Sequence, residues 1–142
     1  MNTRTLLLVE DNPQDELLTL RALRKANLNA SIEVVRDGQQ AVDYLFCTGE
    51  FSNRPTALPD VVLLDINLPK LSGLDVLTRV RAEPQTRLLP VVMLTSSDDD
   101  RDRLNSYGFG ANSFVSKPLE FAEFMASVGL LGNYWINTNS PP

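Results

Sequence analysis

Histidine is missing from this 142-residue chain, and cysteine occurs once, as Cys47. The first absence removes histidine-ligated metal sites and the Ser/His and Cys/His nucleophiles. The second rules out an internal disulfide, and Cys47 reads as buried filler. Long apolar runs are missing as well: none could span a bilayer, and the amino terminus carries no long apolar core behind a basic start. Basic residues are the minority, 13 against 18 acidic ones for a net charge of −5. The two signs are interspersed, which argues against nucleic-acid or anionic-membrane binding as the main activity, since both need a positive patch. The expected setting is cytoplasmic, with neither nucleic acid nor membrane as partner.

An ordinary apolar fraction of 43% and charged fraction of 22% fit one ordered domain able to bury a core. Short apolar runs alternate with helical patterns. Thr5 to Val9 reads as a buried strand, closed by Glu10-Asp11-Asn12-Pro13, with Pro13 in the first turn of a helix. Asp15 and Glu16 suit that helix's start, and Leu17, Leu20 and Leu23 recur at helical spacing. Ile32 to Val35 reads as a second strand, and Ala41, Val42, Leu45 and Phe46 as one face of a second helix. Cys47 to Pro59 reads as an irregular segment, either an insertion or a contact loop.

The stretch Asp60-Val61-Val62-Leu63-Leu64-Asp65 is a third strand, apolar without alternation, as a strand buried on both faces should be. Leu74, Leu77, Val80 and Arg81 mark a third helix ending near Pro84, and Pro90 to Thr95 a fourth strand. Ser97 before Asp98, Asp99 and Asp100 reads as a capped, acid-rich helix start. Asn112 to Val115 is a fifth strand, Lys117-Pro118 a turn, and Leu119 to about Leu130 a last helix. Five alternations predict an α/β, flavodoxin-like (βα)5 three-layer sandwich with a parallel five-stranded sheet of order 2-1-3-4-5. The domain takes residues 1–131 and a carboxyl-terminal tail 132–142.

In that order the first and third strands are neighbours, and ligands bind at the carboxyl ends of strands around the switch point. Glu10, Asp11 and Asp65 then meet in one crevice. Carboxylates this close repel unless a cation holds them ionised, and oxygen ligands favour Mg²⁺ over zinc. The backbone carbonyl of Asn67 is placed to complete the shell. Thr95 ends the fourth strand and Lys117 follows the fifth, so both point into the same crevice. Asp65 could accept a phosphoryl group as an acyl phosphate, with Lys117 on the phosphate oxygens and the Thr95 hydroxyl donating to them. Each residue alone has a plainer reading as a helix cap, a strand-end hydroxyl or a surface turn. Four strand ends carrying the required side chains together point to chemistry.

These residues resemble the receiver domain of bacterial two-component response regulators, from Leu6 to about Leu130. The resemblance implies that Glu10, Asp11 and Asp65 form the Mg²⁺ site and that Asp65 is phosphorylated by a histidine kinase. Thr95 and Lys117 would be phosphate contacts, Thr95 and Phe114 the switch pair, and Gly73 the family glycine. The bond before Pro118 would be cis. A narrower likeness rests on the segment before Asp60, on Asn67-Leu68-Pro69-Lys70, on Ser106-Tyr107, Ala111-Asn112 and Trp135. It is to the stand-alone regulators paired with bacterial phytochromes, although Ser72 departs from the acidic residue usual before the glycine. That subfamily implies a phytochrome-type kinase as partner and a homodimer through the fourth helix, fifth strand and fifth helix. With no DNA-binding module after the receiver, output is expected through protein contacts or phosphoryl relay.

Two other classes compete. A phosphatase of the haloacid dehalogenase type also uses a strand-end aspartate with Mg²⁺, but needs an aspartate two residues on as general acid, where this chain has Asn67. A receiver-like adaptor that is never phosphorylated would share the fold. The reading adopted is a switch and phosphoacceptor, not an enzyme beyond its own phosphorylation and dephosphorylation.

Overall fold

Apolar runs that lack alternation have to be covered on both sides, and a parallel sheet between two helical layers does this. The computed structural model describes residues 4–28, 30–55, 57–95, 105–116 and 121–139, apart from the side chains of Ser116, Phe121 and Phe124. Strands β1 (Arg4–Val9), β2 (Ala30–Val35), β3 (Val61–Asp65), β4 (Val91–Thr95) and β5 (Ser113–Ser116) form one sheet in the order β2-β1-β3-β4-β5. Every pairing is parallel, with Val9 beside Leu64, Asp65 beside Leu94 and Thr95 beside Ser116. All residues of β3 and β4 are buried, whereas edge strand β2 alternates. This is the flavodoxin-like arrangement expected.

The helices are α1 (Pro13–Lys25), α2 (Gly38–Phe46), α3 (Gly73–Ala82), α4, of which residues 105–108 are described, and α5 (Phe121–Asn133). Because side chains alternate along a strand, each strand feeds both layers. Leu7, Val9, Val62, Leu64, Val91 and Met93 meet Ala41, Val42, Leu45, Val76, Leu77 and Val80 of α2 and α3. Leu6, Leu8, Val61, Leu63, Val92 and Leu94 meet Ala22 and Leu23 of α1 and Val128 of α5. Each fully buried Leu or Val contributes about 1.5–3 kcal/mol relative to exposure.

Helix starts follow from side chains that satisfy otherwise unpaired amides. The Asn12 side-chain oxygen accepts from the Gln14 and Asp15 amides, Asp37 accepts from Gln40, and Ser72 with Asp75 makes a capping box on α3. Asp98 to Asp100, and with them the expected start of α4, lie outside the described residues.

Four local expectations are revised. In α1, Leu17 is exposed, Leu20 half-buried and Leu23 buried; the inner face is Thr19, Ala22 and Leu23, one step round from the leucine stripe. Cys47 is only half-buried and ends α2 in a left-handed conformation, φ 56°, with its thiol 3.6 Å from the Pro55 carbonyl. It is a helix terminator rather than filler. The 47–59 segment contains a 3₁₀ turn, Gly49–Phe51, and is tied to α2 by Arg54. Arg54 donates to the carbonyls of Tyr44 and Ala57 and stacks 3.9 Å over the Tyr44 ring. Finally, α5 runs on past Leu130 to Asn133 and continues as a π-helix, Tyr134–Thr138. Ile136 is fully buried in the α1/α5 layer and Trp135 packs there, because two apolar side chains inside the otherwise polar tail have a core to reach.

Candidate functional site

The parallel sheet turns all strands the same way, so the ends of β1, β3 and β4 share one edge. β1 delivers Glu10 and Asp11 and β3 ends on Asp65. The three carboxylates each offer an oxygen, and these oxygens lie within 4.8 Å of one another. Glu10 and Asp65 are buried, at 0% and 5% exposure, while Asp11 is open to solvent. Three carboxylate oxygens this close together make a seat for a positive charge. An all-oxygen donor set with one exposed ligand fits a hard divalent ion such as Mg²⁺ or Mn²⁺.

Local backbone sets the carboxylate directions. The Glu10 amide donates to the Val35 carbonyl at 3.1 Å, which locks the end of β1 to β2. The Asn12 amide reaches a Glu10 carboxylate oxygen at 3.3 Å. After β3, the Asn67 amide donates to Asp65 Oδ1 at 3.0 Å, and the Gly73 amide to the Ile66 carbonyl at 2.8 Å. A side chain at Gly73 would strike the Asp65 carbonyl and Ile66 Cα. Glycine there is a matter of space. The same loop is braced from β2–α2: the Gly38 amide donates to the Pro69 carbonyl at 3.2 Å, and Lys70, at φ 69°, lies 3.5 Å from Asp37.

Thr95 ends β4 with 0% exposure, on the strand next to Asp65. Phe114 lies on β5, level with Met93 and partly buried against the α2/α3 layer. Lys117 and Pro118 lie outside the described residues, so the lysine's place in the crevice and the isomer of its bond to Pro118 are not described. Asn67 is exposed, and its amide side chain cannot serve as the general acid of a phosphatase. Among the described residues no helix is long and apolar enough to cross a membrane.

Comparison with known proteins agrees with this geometry. The response regulator receiver domain family matches residues 6–129. The chain belongs to that family. Among curated relatives, the probable methanogenesis regulatory protein FilR2 of Methanothrix harundinacea is 39% identical, over 96% of this chain and 86% of its own length. Response regulator Rcp1 of Synechocystis is 32% identical, over 98% and 93%. The Mn²⁺-bound form of Rcp1 superposes with a TM-score of 0.90, at 32% identity over 98% of this chain and 99% of that one. The phosphorylated cyanobacterial phytochrome response regulator RcpA superposes with a TM-score of 0.91, at 33% identity and 99% coverage of both chains. The bacteriophytochrome response regulator RtBRR is 48% identical with a TM-score of 0.81, over 99% of this chain and 85% of that one. The receiver is thus a two-component regulator domain close to the single-domain phytochrome regulators, and such domains are in general switches rather than enzymes.

Sequence reasoning named the carboxylates of this receiver but overlooked two residues outside the cluster that order the connecting loops. The left-handed turn at Lys70 had no glycine or asparagine to signal it. Arg81 had no periodic pattern to mark it, because its partners are oxygens of two separate loops.

Proposed function

We propose that this receiver accepts a phosphoryl group on Asp65 from a sensor histidine kinase of the bacterial phytochrome type and switches protein contacts in response. The observation that carries the reading is the Glu10–Asp11–Asp65 cluster around a strand-end acid. A carboxylate oxygen of Asp65 attacks phosphorus, forming the acyl phosphate P–O bond as the P–N bond to the donor histidine breaks. Glu10, Asp11 and Asp65, with the backbone carbonyl of Asn67, would hold Mg²⁺, which supplies positive charge against the charge building up on the phosphoryl oxygens. Buried Glu10 keeps its place through the β1–β2 bond, and the Asn67 amide presents the reacting carboxylate.

Lys117 would pair with the phosphate, and the Thr95 hydroxyl would donate to it. Movement of Thr95 would leave room for Phe114 to turn inward. The half-buried setting of Phe114 supports this, since the ring already borders the core. Output would pass through a homodimer on the α4–β5–α5 face, where Tyr107 and Phe109 are exposed. The phytochrome-type kinase partner is supported by similarity to RcpA, Rcp1 and RtBRR, and the protein is proposed to act in the cytoplasm. A receiver that works without phosphorylation is the reading this one displaces, because the acidic set is complete.

The test is incubation with acetyl phosphate and Mg²⁺ followed by intact-mass measurement. A single phosphoryl adduct on the wild type that disappears in Asp65→Asn is expected. No adduct on the wild type, or an equal one on the variant, ends the proposal.

A further inference from the structure

Arg81, at the last turn of α3, is half-buried, and among the described residues no carboxylate pairs with it. Its donors go instead to oxygens from two connections, α3–β4 and α4–β5. Nε donates to the Gly110 carbonyl at 2.9 Å, Nη1 to the Leu89 and Arg87 carbonyls at 2.7 and 3.1 Å, and Nη2 to Asn112 Oδ1 at 2.8 Å. Asn112 Oδ1 also accepts from the Val91 amide at 2.8 Å, and the Asn112 amide donates to the Val91 carbonyl at 2.9 Å. The arginine stem lies against Gly110, which has φ 97°; a Cβ there would sit 3.1 Å from Nε and 3.3 Å from Cδ.

Burial disfavours the charge on Arg81 and lowers its pKa. Four charge-assisted bonds offset that cost and use the planar fork in a way a point charge cannot. Together they hold the end of α4 and the start of β5 on the β4 frame. Phe114 follows two residues after Asn112.

We propose that Arg81 is a positioning residue for the switch: it fixes the start of β5, so that Phe114 responds by turning its side chain while its strand keeps register. The idea rests on the reading of Asp65 as phosphoacceptor and Phe114 as the responding ring. It places a requirement on a residue outside the acidic crevice.

The test is amide hydrogen exchange on the full chain, wild type and Arg81→Gln, before and after treatment with acetyl phosphate and Mg²⁺. In the untreated variant the Ala111 and Asn112 amides should exchange about tenfold faster or more, as loss of charged hydrogen bonds implies, while Val62 to Leu64 keep wild-type rates. A merely global destabilisation would speed both sets. After treatment, wild-type Ala111 and Asn112 should be unchanged, whereas in the variant they should open further. Equal exchange in untreated variant and wild type overturns the proposal, as does opening of these amides in the treated wild type. If Arg81→Gln does not fold, Arg81→Lys keeps charge and stem and is judged by the same rates. An absent wild-type mass adduct would sink the phosphoacceptor reading, while the untreated comparison would still decide whether Arg81 clamps β5.

Discussion

Gly73 is packed against the backbone carbonyl of Asp65 so closely that there is no room for a methyl group. Backbone cannot swing aside as a flexible side chain can, so Gly73→Ala must displace the end of β3 or the start of α3. The expected loss is about 1–3 kcal/mol in urea unfolding, with slower labelling of Asp65. Gly108, helical and with nothing near its missing Cβ, is the control. Gly108→Ala should be neutral or stabilise by about 0.4–1 kcal/mol.

Asp11 is the exposed member of the carboxylate cluster, so replacing it should spare the fold and alter the ion. Asp11→Asn is expected to keep the wild-type unfolding midpoint and to require about tenfold more Mg²⁺ or beyond for labelling by acetyl phosphate. Removing divalent ions with a chelator should stop labelling of the wild type. A Mg²⁺ titration read by intact mass checks both.

Tyr44 links α2 to the 47–59 segment, its ring under Arg54 and edge-on to Phe51 at 5.3 Å. Burial raises its pKa above the ordinary 10.0, only partly opposed by Arg54, with Glu33 and Cys47 adding to the rise. The folded state therefore holds the phenol proton more tightly than the unfolded chain. The resulting stability is fully present below pH 10 or so and is lost as the pH climbs through the folded value. Urea midpoints measured from pH 8 upward should fall more steeply for wild type than for Tyr44→Phe, which has no proton to lose.

Ile136 should behave as core although it lies near the carboxyl end. Ile136→Ala is expected to cost about 2–5 kcal/mol by chemical denaturation. Leu130→Ala, at a side chain that is 72% exposed, should change stability by no more than about 0.5 kcal/mol. A loss at Ile136 as small as that at Leu130 would mean that the π-helix is not docked in the α1/α5 layer.

These residues also show what a linear reading can and cannot reach. Val61 to Leu64 announced a two-sided strand because burial on both faces removes any polar alternate, and Asp65 stood out as the acid that ends it. Glu10 and Asp11 followed from the same logic at the next strand, and parallel topology brought all three together. Leu17 misled because a leucine stripe and the buried face of α1 differ by one position, and small Ala22 could face the sheet as well as a leucine. Cys47 and Lys70 take left-handed backbone that their residue types do not advertise. Arg81 was counted as part of a helix face, since nothing in its neighbours reveals that carbonyls about 30 positions away will surround it. Lys117 remains a matter of sequence and family likeness.

The lone tryptophan carries a practical consequence. Trp135 stands edge-on to Tyr134, its indole N–H enclosed without a hydrogen-bond partner. Helix α5 travels back along the sheet, leaving this ring at the pole opposite the reactive acid. Its ultraviolet emission is therefore a gauge of whether the carboxyl-terminal segment is seated, and a steady signal during phosphoryl loading would be the mark of a message that travels by another face.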